Sequence, residues 1–310
     1  MSALGTPEPA PTEPAPAGGV ATAGAPRARR KLPKPVLRFT RSVNAMVGLA
    51  LTLLLTLVAL FAPLLMREDP YQVDFGKLSQ RLEPPGESSW LGRDNFGRDI
   101  YSRIIAGTRV SLLVAFGAVA LSMLVGSLLG LVAGYFGGWL DEVIMRVTDI
   151  LYAFPSILLA LALVAALGPS LANLVFAISF VSVPGFARVM RSSVIQIRGK
   201  EMLESARSLG AGDLRMIFRH VLPNSLAPTV VLASMSMATA LLTEAGLSFL
   251  GLGVQPPTPS WGGILADGRE YLRTAPFMTN FAGLAILLAV MAFNLLGDGI
   301  RDAFDPRSKL

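Results

Sequence analysis

Few folds are open to a chain that repeatedly runs as long as a bilayer is thick without meeting a charge. A spanning helix needs about 20 mostly apolar residues. Ser42–Met66, Val110–Leu140 and Thr279–Leu296 contain no charged residue, and Leu226–Leu250 contains only Glu244. The charge-free run from Ile150 to Ala187 carries Gly168, Pro169, Ser170 and Asn173 near its middle. It therefore reads as parts of two helices joined by a tight turn, the first starting near Val143. The expectation is an all-α polytopic membrane protein with six transmembrane helices. With 52% hydrophobic and 15% charged residues, the composition falls outside that of a soluble globular domain.

Six spans put both termini on one side. If that side is the cytoplasm, 18 of the 27 Lys and Arg residues lie inside, in the direction of the positive-inside rule. This bias accounts for the net charge of +6 without a nucleic-acid partner. Residues 1–40 are expected to form a disordered cytoplasmic arm. Pro, Ala, Gly and Thr dominate it up to Pro26, and Arg27, Arg29, Arg30, Lys31 and Lys34 then give it a basic, lipid-facing end. The apolar run behind these charges is too long for the h-region of a cleavable signal, so the first span is expected to persist. Residues 41–108 then hold the first span and an outer loop, 109–300 a five-helix core with a cytoplasmic loop at 188–224, and 301–310 a cytoplasmic tail.

The charged insert Glu201–Asn224 separates two apolar segments. Met202, Leu203, Ala206 and Leu209 suit a short helix, and Gly210 stands where a left-handed residue would end it. Asp213 can cap a second helix, Leu214–Leu222, which Pro223 would stop. Ser205 and Ala206 leave a low-relief face on which Glu204 is a fixed charge. A plain solvated loop would show much of the same pattern. Here the residues reach a family resemblance: Glu204, Ser205, Ala206, Gly210, Leu222 and Pro223 resemble the E-A-A, G, L-P loop of ABC importer permeases. Ser205 replaces the second Ala, and His220 stands where the general pattern has Ile. The resemblance implies that this loop enters a cleft on a partner ATPase. A basic or polar residue at the position of His220 is frequent in the peptide-importer branch.

Other segments extend the likeness. Trp90–Asp99 resembles the W-L-G-x-D-x-x-G-R-D signature of one of the two membrane subunits of dipeptide and oligopeptide importers. The alternating Arg93, Asp94, Arg98, Asp99 and Arg103 predict a loop laced by exposed ion pairs, each contributing about 0–1 kcal/mol. Gly134–Trp139, Phe154–Pro155, Gly246–Gly262 and Phe293–Arg307 continue the pattern, so the likeness covers residues 40 to 307 or so. It implies the type I ABC importer permease fold in a bacterial cell membrane. The implied assembly contains a homologous permease subunit, two ATP-binding subunits, an extracytoplasmic substrate-binding protein and a peptide substrate.

Four further features lie outside the loop. Gly126, Gly130 and Gly134 recur every four residues, which lets a helix of this chain or of a partner approach closely. Pro155 and Pro184 are expected to kink their helices as architecture or beside a substrate route. Asp149 is expected to pair with Arg146 one turn earlier. Glu244 has no basic neighbour one turn away and either lines the translocation path or serves helix packing.

With no cysteine, one histidine and no G-x-x-x-x-G-K-[ST] phosphate loop, the chain is expected to hold no metal, cofactor or catalytic centre. ATP would be hydrolysed by partner subunits. The expected role is a permease subunit forming half of the pathway for dipeptides or oligopeptides, coupled to ATPases through Glu204–Pro223. Nickel chelates, glutathione and oligosaccharides are further cargoes within the same resemblance. A self-contained ion-coupled carrier using Glu244 and Asp149 is the rival, but it would have no need of the loop.

Overall fold

The computed structural model describes residues 34–199 and 208–304. The chain is built from α1 (Lys34–Arg41), α2 (Val43–Leu60), α3 (Ala62–Leu65), α4 (Ile100–Phe136), α5 (Gly138–Tyr152), α6 (Ser156–Leu167), α7 (Leu171–Arg198), α8 (Asp213–Met216), α9 (Leu222–Phe249), α10 (Trp261–Gly268) and α11 (Phe277–Phe304). Side chains set several starts. Ser42, Asp99, Ser170 and Ser260 each accept a bond from a first-turn backbone N–H, of Ala45, Ser102, Asn173 and Gly263, satisfying donors that the helix leaves open.

Five helical stretches are long and apolar enough to span a membrane: α2, α4, α7, α8 through α9, and α11. α5 and α6, bent by 89° at their junction, make a sixth span when the pair is taken as one. The sequence predicts one kinked helix there, and the structure breaks it outright. Pro155 has no N–H to donate, and its ring drives Phe154 out of helical geometry. Pro184, by contrast, lies inside an unbroken α7. The second span also begins earlier than Val110, because Asp99 caps α4 at Ile100.

The tightest helix contact joins α4 to α7. A Cβ built on Gly126 would lie 2.6 Å from the Val183 carbonyl oxygen, and one on Gly134 2.9 Å from that of Arg191. Gly130, between them, faces the backbones of Ala187 and Arg191. The glycine stripe thus serves packing within this chain, letting two backbones touch where lipid gives apolar side chains little reason to associate.

The segment before α4 departs from the sequence expectation. Arg93, Asp94, Arg98, Asp99 and Arg103 are buried instead of exposed, with Arg93 only 3% accessible. Arg93 makes a two-pronged contact with Glu68, at 2.9 and 2.8 Å, and donates to the Gly97 carbonyl. Asp94 accepts from Arg98 at 2.7 Å and lies 3.4 Å from Arg103, which donates to the Pro70 carbonyl. Asp99 accepts from the hydroxyls of Ser89 and Ser102, both at 2.6 Å. Asp267 of α10 reaches Arg103 at 3.6 Å. These charges lie in a buried set of ion pairs and hydrogen bonds, Asp99 held by hydroxyls and the others by opposite charges, that fastens residues 67–99 to α4 and α10. Such pairs are costly to break, about 3–5 kcal/mol when one partner is lost.

Both kinds of fastening can be tested by substitution. Gly130→Val should overpack the α4–α7 contact by on the order of 1–3 kcal/mol and lower accumulation in the membrane, whereas Gly283→Ala, which meets nothing within 4 Å, should accumulate normally. Quantitative blotting of membranes distinguishes them. The Arg93 guanidinium, and more weakly Lys77, lowers the Glu68 pKa from 4.5 to about 2. A lowered carboxylate pKa contributes stability above pH 4.5 that is lost as pH falls toward about 2. Hydrogen exchange in residues 67–99 should rise over that window in the wild type, and Glu68→Gln should flatten the dependence.

Candidate coupling and translocation site

Gly210 adopts φ +80°, the left-handed conformation that its place in the sequence predicts, in a turn leading to α8. Glu204, Ser205 and Ala206 lie outside the described residues. Asp213 does not cap its helix: Gly212 occupies the cap position without a side-chain bond. The Asp213 carboxylate instead accepts a 2.6 Å hydrogen bond from the Tyr135 hydroxyl, on the last turn of α4. Sequence reasoning missed this because the acceptor and its donor are 78 residues apart.

Pro223 does not stop the helix either. Ile217–Val221 forms a π turn, in which the Leu222 N–H bonds to the Ile217 carbonyl, and α9 follows directly. The wider turn changes the hydrogen-bond register just where Pro223, in the first turn of α9, can offer no donor. Met216, Ile217 and Val221 face inward onto Leu131, Tyr135, Met190, Val194 and Ile197. The second half of the loop is therefore moored to the ends of both α4 and α7.

Its outer face carries large apolar side chains among the exposed Asp213, Arg215 and Arg219. Leu209, Leu214 and Phe218 are 89, 73 and 64% exposed. Leu214 and Phe218 stand four residues apart on the side opposite Met216 and Ile217. The signal was present in the sequence as apolar residues one turn apart in a charged segment, but the inward stripe is indistinguishable from the outward one without the neighbours. Pro223 is exposed and Leu222 partly buried.

Glu244 is elsewhere, deep between α4 and α9. It is 0% exposed and accepts from Ser248 at 2.7 Å and Ser111 at 3.2 Å. In this subunit the carboxylate faces protein, not an open route, and the geometry favours its packing reading. Asp149 does not pair with Arg146. Arg188 of α7 donates to it at 2.6 Å, because α7 lies against α5 and brings the guanidinium closer than the local partner. Arg191 makes a similar bond to Asp141. Among the described residues no group of three or more His, Asp or Glu side chains could hold a metal ion.

Tyr135→Phe tests the mooring. The ring keeps its place in the apolar cluster while the bond to a charged acceptor, worth about 1.5–3 kcal/mol, is lost. Proteolysis and hydrogen exchange should increase within residues 208–221 and stay at wild-type levels in α11.

A bundle of five long apolar helices and one bent helix pair, with a compact loop moored at its end, defines a multi-pass membrane protein. Residues 126–310 match the model of the binding-protein-dependent transport system inner membrane component family, and residues 36–85 match the N-terminal TM domain of oligopeptide transport permease C. The chain belongs to the binding-protein-dependent transport system inner membrane component family. It is 48% identical to the dipeptide transport system permease protein DppC of Alkalihalophilus pseudofirmus, over 86% of each chain. With the glutathione transport system permease protein GsiD of Pectobacterium atrosepticum it shares 46% identity, over 88% of this chain and 90% of that one. An inward-facing structure of the MetNI methionine ABC transporter is similar in fold, with a TM-score of 0.53 at 18% identity, over 65% of this chain and 96% of that one. The fold is thus the type I ABC importer permease fold, in an inner-membrane protein.

Proposed function

We propose that this chain is one of two permease subunits of an ATP-driven importer of dipeptides or oligopeptides. Two ATP-binding subunits would drive it and an extracytoplasmic binding protein would deliver the cargo. The observation that carries this reading is the two-domain family match together with relatives named for dipeptide and glutathione transport, glutathione being itself a small peptide. ATP hydrolysis belongs to the partner subunits, and the termini face the cytoplasm, as the distribution of Lys and Arg supports.

The coupling surface is Glu204, Ser205, Ala206 and Gly210 with Leu222 and Pro223, extended by the exposed Leu214 and Phe218. An ATPase cleft closing on this surface would push on α8 and the π turn, and through Tyr135, Met190 and Val194 on α4 and α7 together. Alternating access follows if that push separates the helices lining the route at one face and draws them together at the other. Glu244 acts as a packing residue: the bond it accepts from Ser111 sets α9 against α4, while Ser248, one turn on in α9, fills its other oxygen.

Gly210→Val tests the assignment. No atom lies within 4 Å of the added Cβ, so the effect is backbone strain at φ +80°, about 1 kcal/mol or more, without a clash. The variant should insert and accumulate normally, lose co-purification of the ATPases, and lose ATP-dependent peptide uptake. Leu214→Ser with Phe218→Ser should do the same with the backbone untouched. Wild-type uptake and co-purification in both would refute the coupling surface.

A further inference from the structure

Helix α5 is held to the bundle differently from its neighbours. Thr148 is the one buried residue among its 15, and among the described residues no α5 side chain enters the apolar clusters that pack the other long helices together. Its ties to α7 are polar. Arg191 grips both carboxylate oxygens of Asp141, and Arg188 donates to Asp149 at 2.6 Å while lying 4.1 Å from the centre of the Tyr152 ring. Helix α6, by contrast, is seated by Ala160 and Val164, both 0% exposed, in one cluster with Val114 and Ala118 of α4 and Leu174, Ala177 and Ile178 of α7.

Both ends of α5 are joints. Gly137 and Gly138 follow one another at φ +68° and +59°, left-handed geometry that breaks helical continuity with α4. At the other end the 89° bend between Tyr152 and Ser156 separates α5 from α6. A rigid rod jointed at both ends to seated neighbours keeps one free movement, rotation about the line between the joints. The surface that would turn is divided lengthwise. At 3.6 residues per turn, Trp139, Val143, Val147 and Ile150 form one strip, 71, 50, 53 and 61% exposed. The exposed Glu142, Arg146 and Asp149 form another, about a quarter turn round. The first joint also lies beside the loop, since Tyr135, two residues before Gly137, bonds Asp213.

We propose that α5 rolls about its long axis during the transport cycle, driven from the loop through Tyr135, so that its apolar and charged strips exchange places on one face of the subunit. This rests on the importer reading. Asp141–Arg191 and Asp149–Arg188 are the stop at one end of the roll. Both pairs are partly exposed, so water replaces either partner at little cost and they can part and re-form in each cycle. The polarity that this face presents then alternates with the nucleotide state of the ATPases, while α4, α6 and α7 keep their packing.

The chain contains no cysteine, so single introduced thiols report the roll. Val143→Cys and Arg146→Cys are each placed in the full complex, assembled with partners free of reactive thiols. Each is reacted with a charged methanethiosulfonate, first without nucleotide and then with the ATPases held closed by ATP and vanadate. The two rates should change by about threefold or more in opposite directions, because a thiol reacts as its exposure allows and strips a quarter turn apart trade exposure when a helix rolls. A swing of the whole helix moves both rates the same way. Rates that stay constant or shift together overturn the proposal. Asp149→Cys with Arg188→Cys, joined by a short reducible bis-methanethiosulfonate, fastens α5 to α7. ATP-driven dialanine uptake should fall at least about tenfold with the link closed and return on reduction, with the ATPases co-purifying in both states. Uptake that survives the closed link, or that fails to return on reduction, overturns the roll. Uptake by the wild-type complex separates these outcomes from failure of the importer reading: its absence brings down that reading and the roll together, and its presence leaves the roll to be judged alone.

Discussion

The contact of α4 with α7 is the constraint from which the rest of the subunit is hung. In water a helix pair is driven together by apolar burial, but lipid removes that force and leaves close packing to replace it. Gly126, Gly130 and Gly134 meet the requirement by removing side chains where the α7 backbone passes. Close approach also fixes register, since the stripe fits α7 at one axial position. The ends of α4 and α7 then form a common floor, and Met216, Ile217 and Val221 pack onto both. A force applied to the loop reaches the pair as a unit.

At the other end of α4 the fastening is ionic. Burying Arg93, Asp94, Arg98, Asp99 and Arg103 costs desolvation, and an apolar replacement of like shape could be as stable. What the network supplies is placement. The bidentate fit of Arg93 to Glu68 and the shared Asp94 between two arginines fix residues 67–99 relative to α4, and Asp267 ties in α10. A segment with little apolar core of its own gains one arrangement from these directional contacts.

Much of this was legible in the sequence and some was not, for physical reasons. The spans were, because a run without charge has a bilayer as its natural solvent. Gly210 was, because a residue ending a helix in left-handed conformation is commonly glycine. Asp149 was assigned to Arg146 since sequence offers only partners one turn away, whereas α7 supplies Arg188 across the fold. Burial of the Arg93–Arg103 charges was hidden for the same reason: alternation is identical whether the pairs face water or one another. Pro223 misled because proline ends a helix or begins one, and the π turn that decides between these is invisible in composition. Leu214 and Phe218 were missed because exposure is a property of the assembled loop.

The two ends of the bundle differ in how readily their fastenings can be exchanged. Charges buried beside α4 cannot part without exposing unpaired groups to a low-dielectric interior. At the opposite end, Arg188–Asp149 is half exposed, and an exposed pair is worth only about 0–1 kcal/mol because water replaces either partner. The α5–α6 segment adds a backbone break to that weak tie. A displacement transmitted from the loop through α4 and α7 therefore meets stiff resistance beside residues 67–99 and little at the bend. Motion should concentrate where the ion pair is exchangeable.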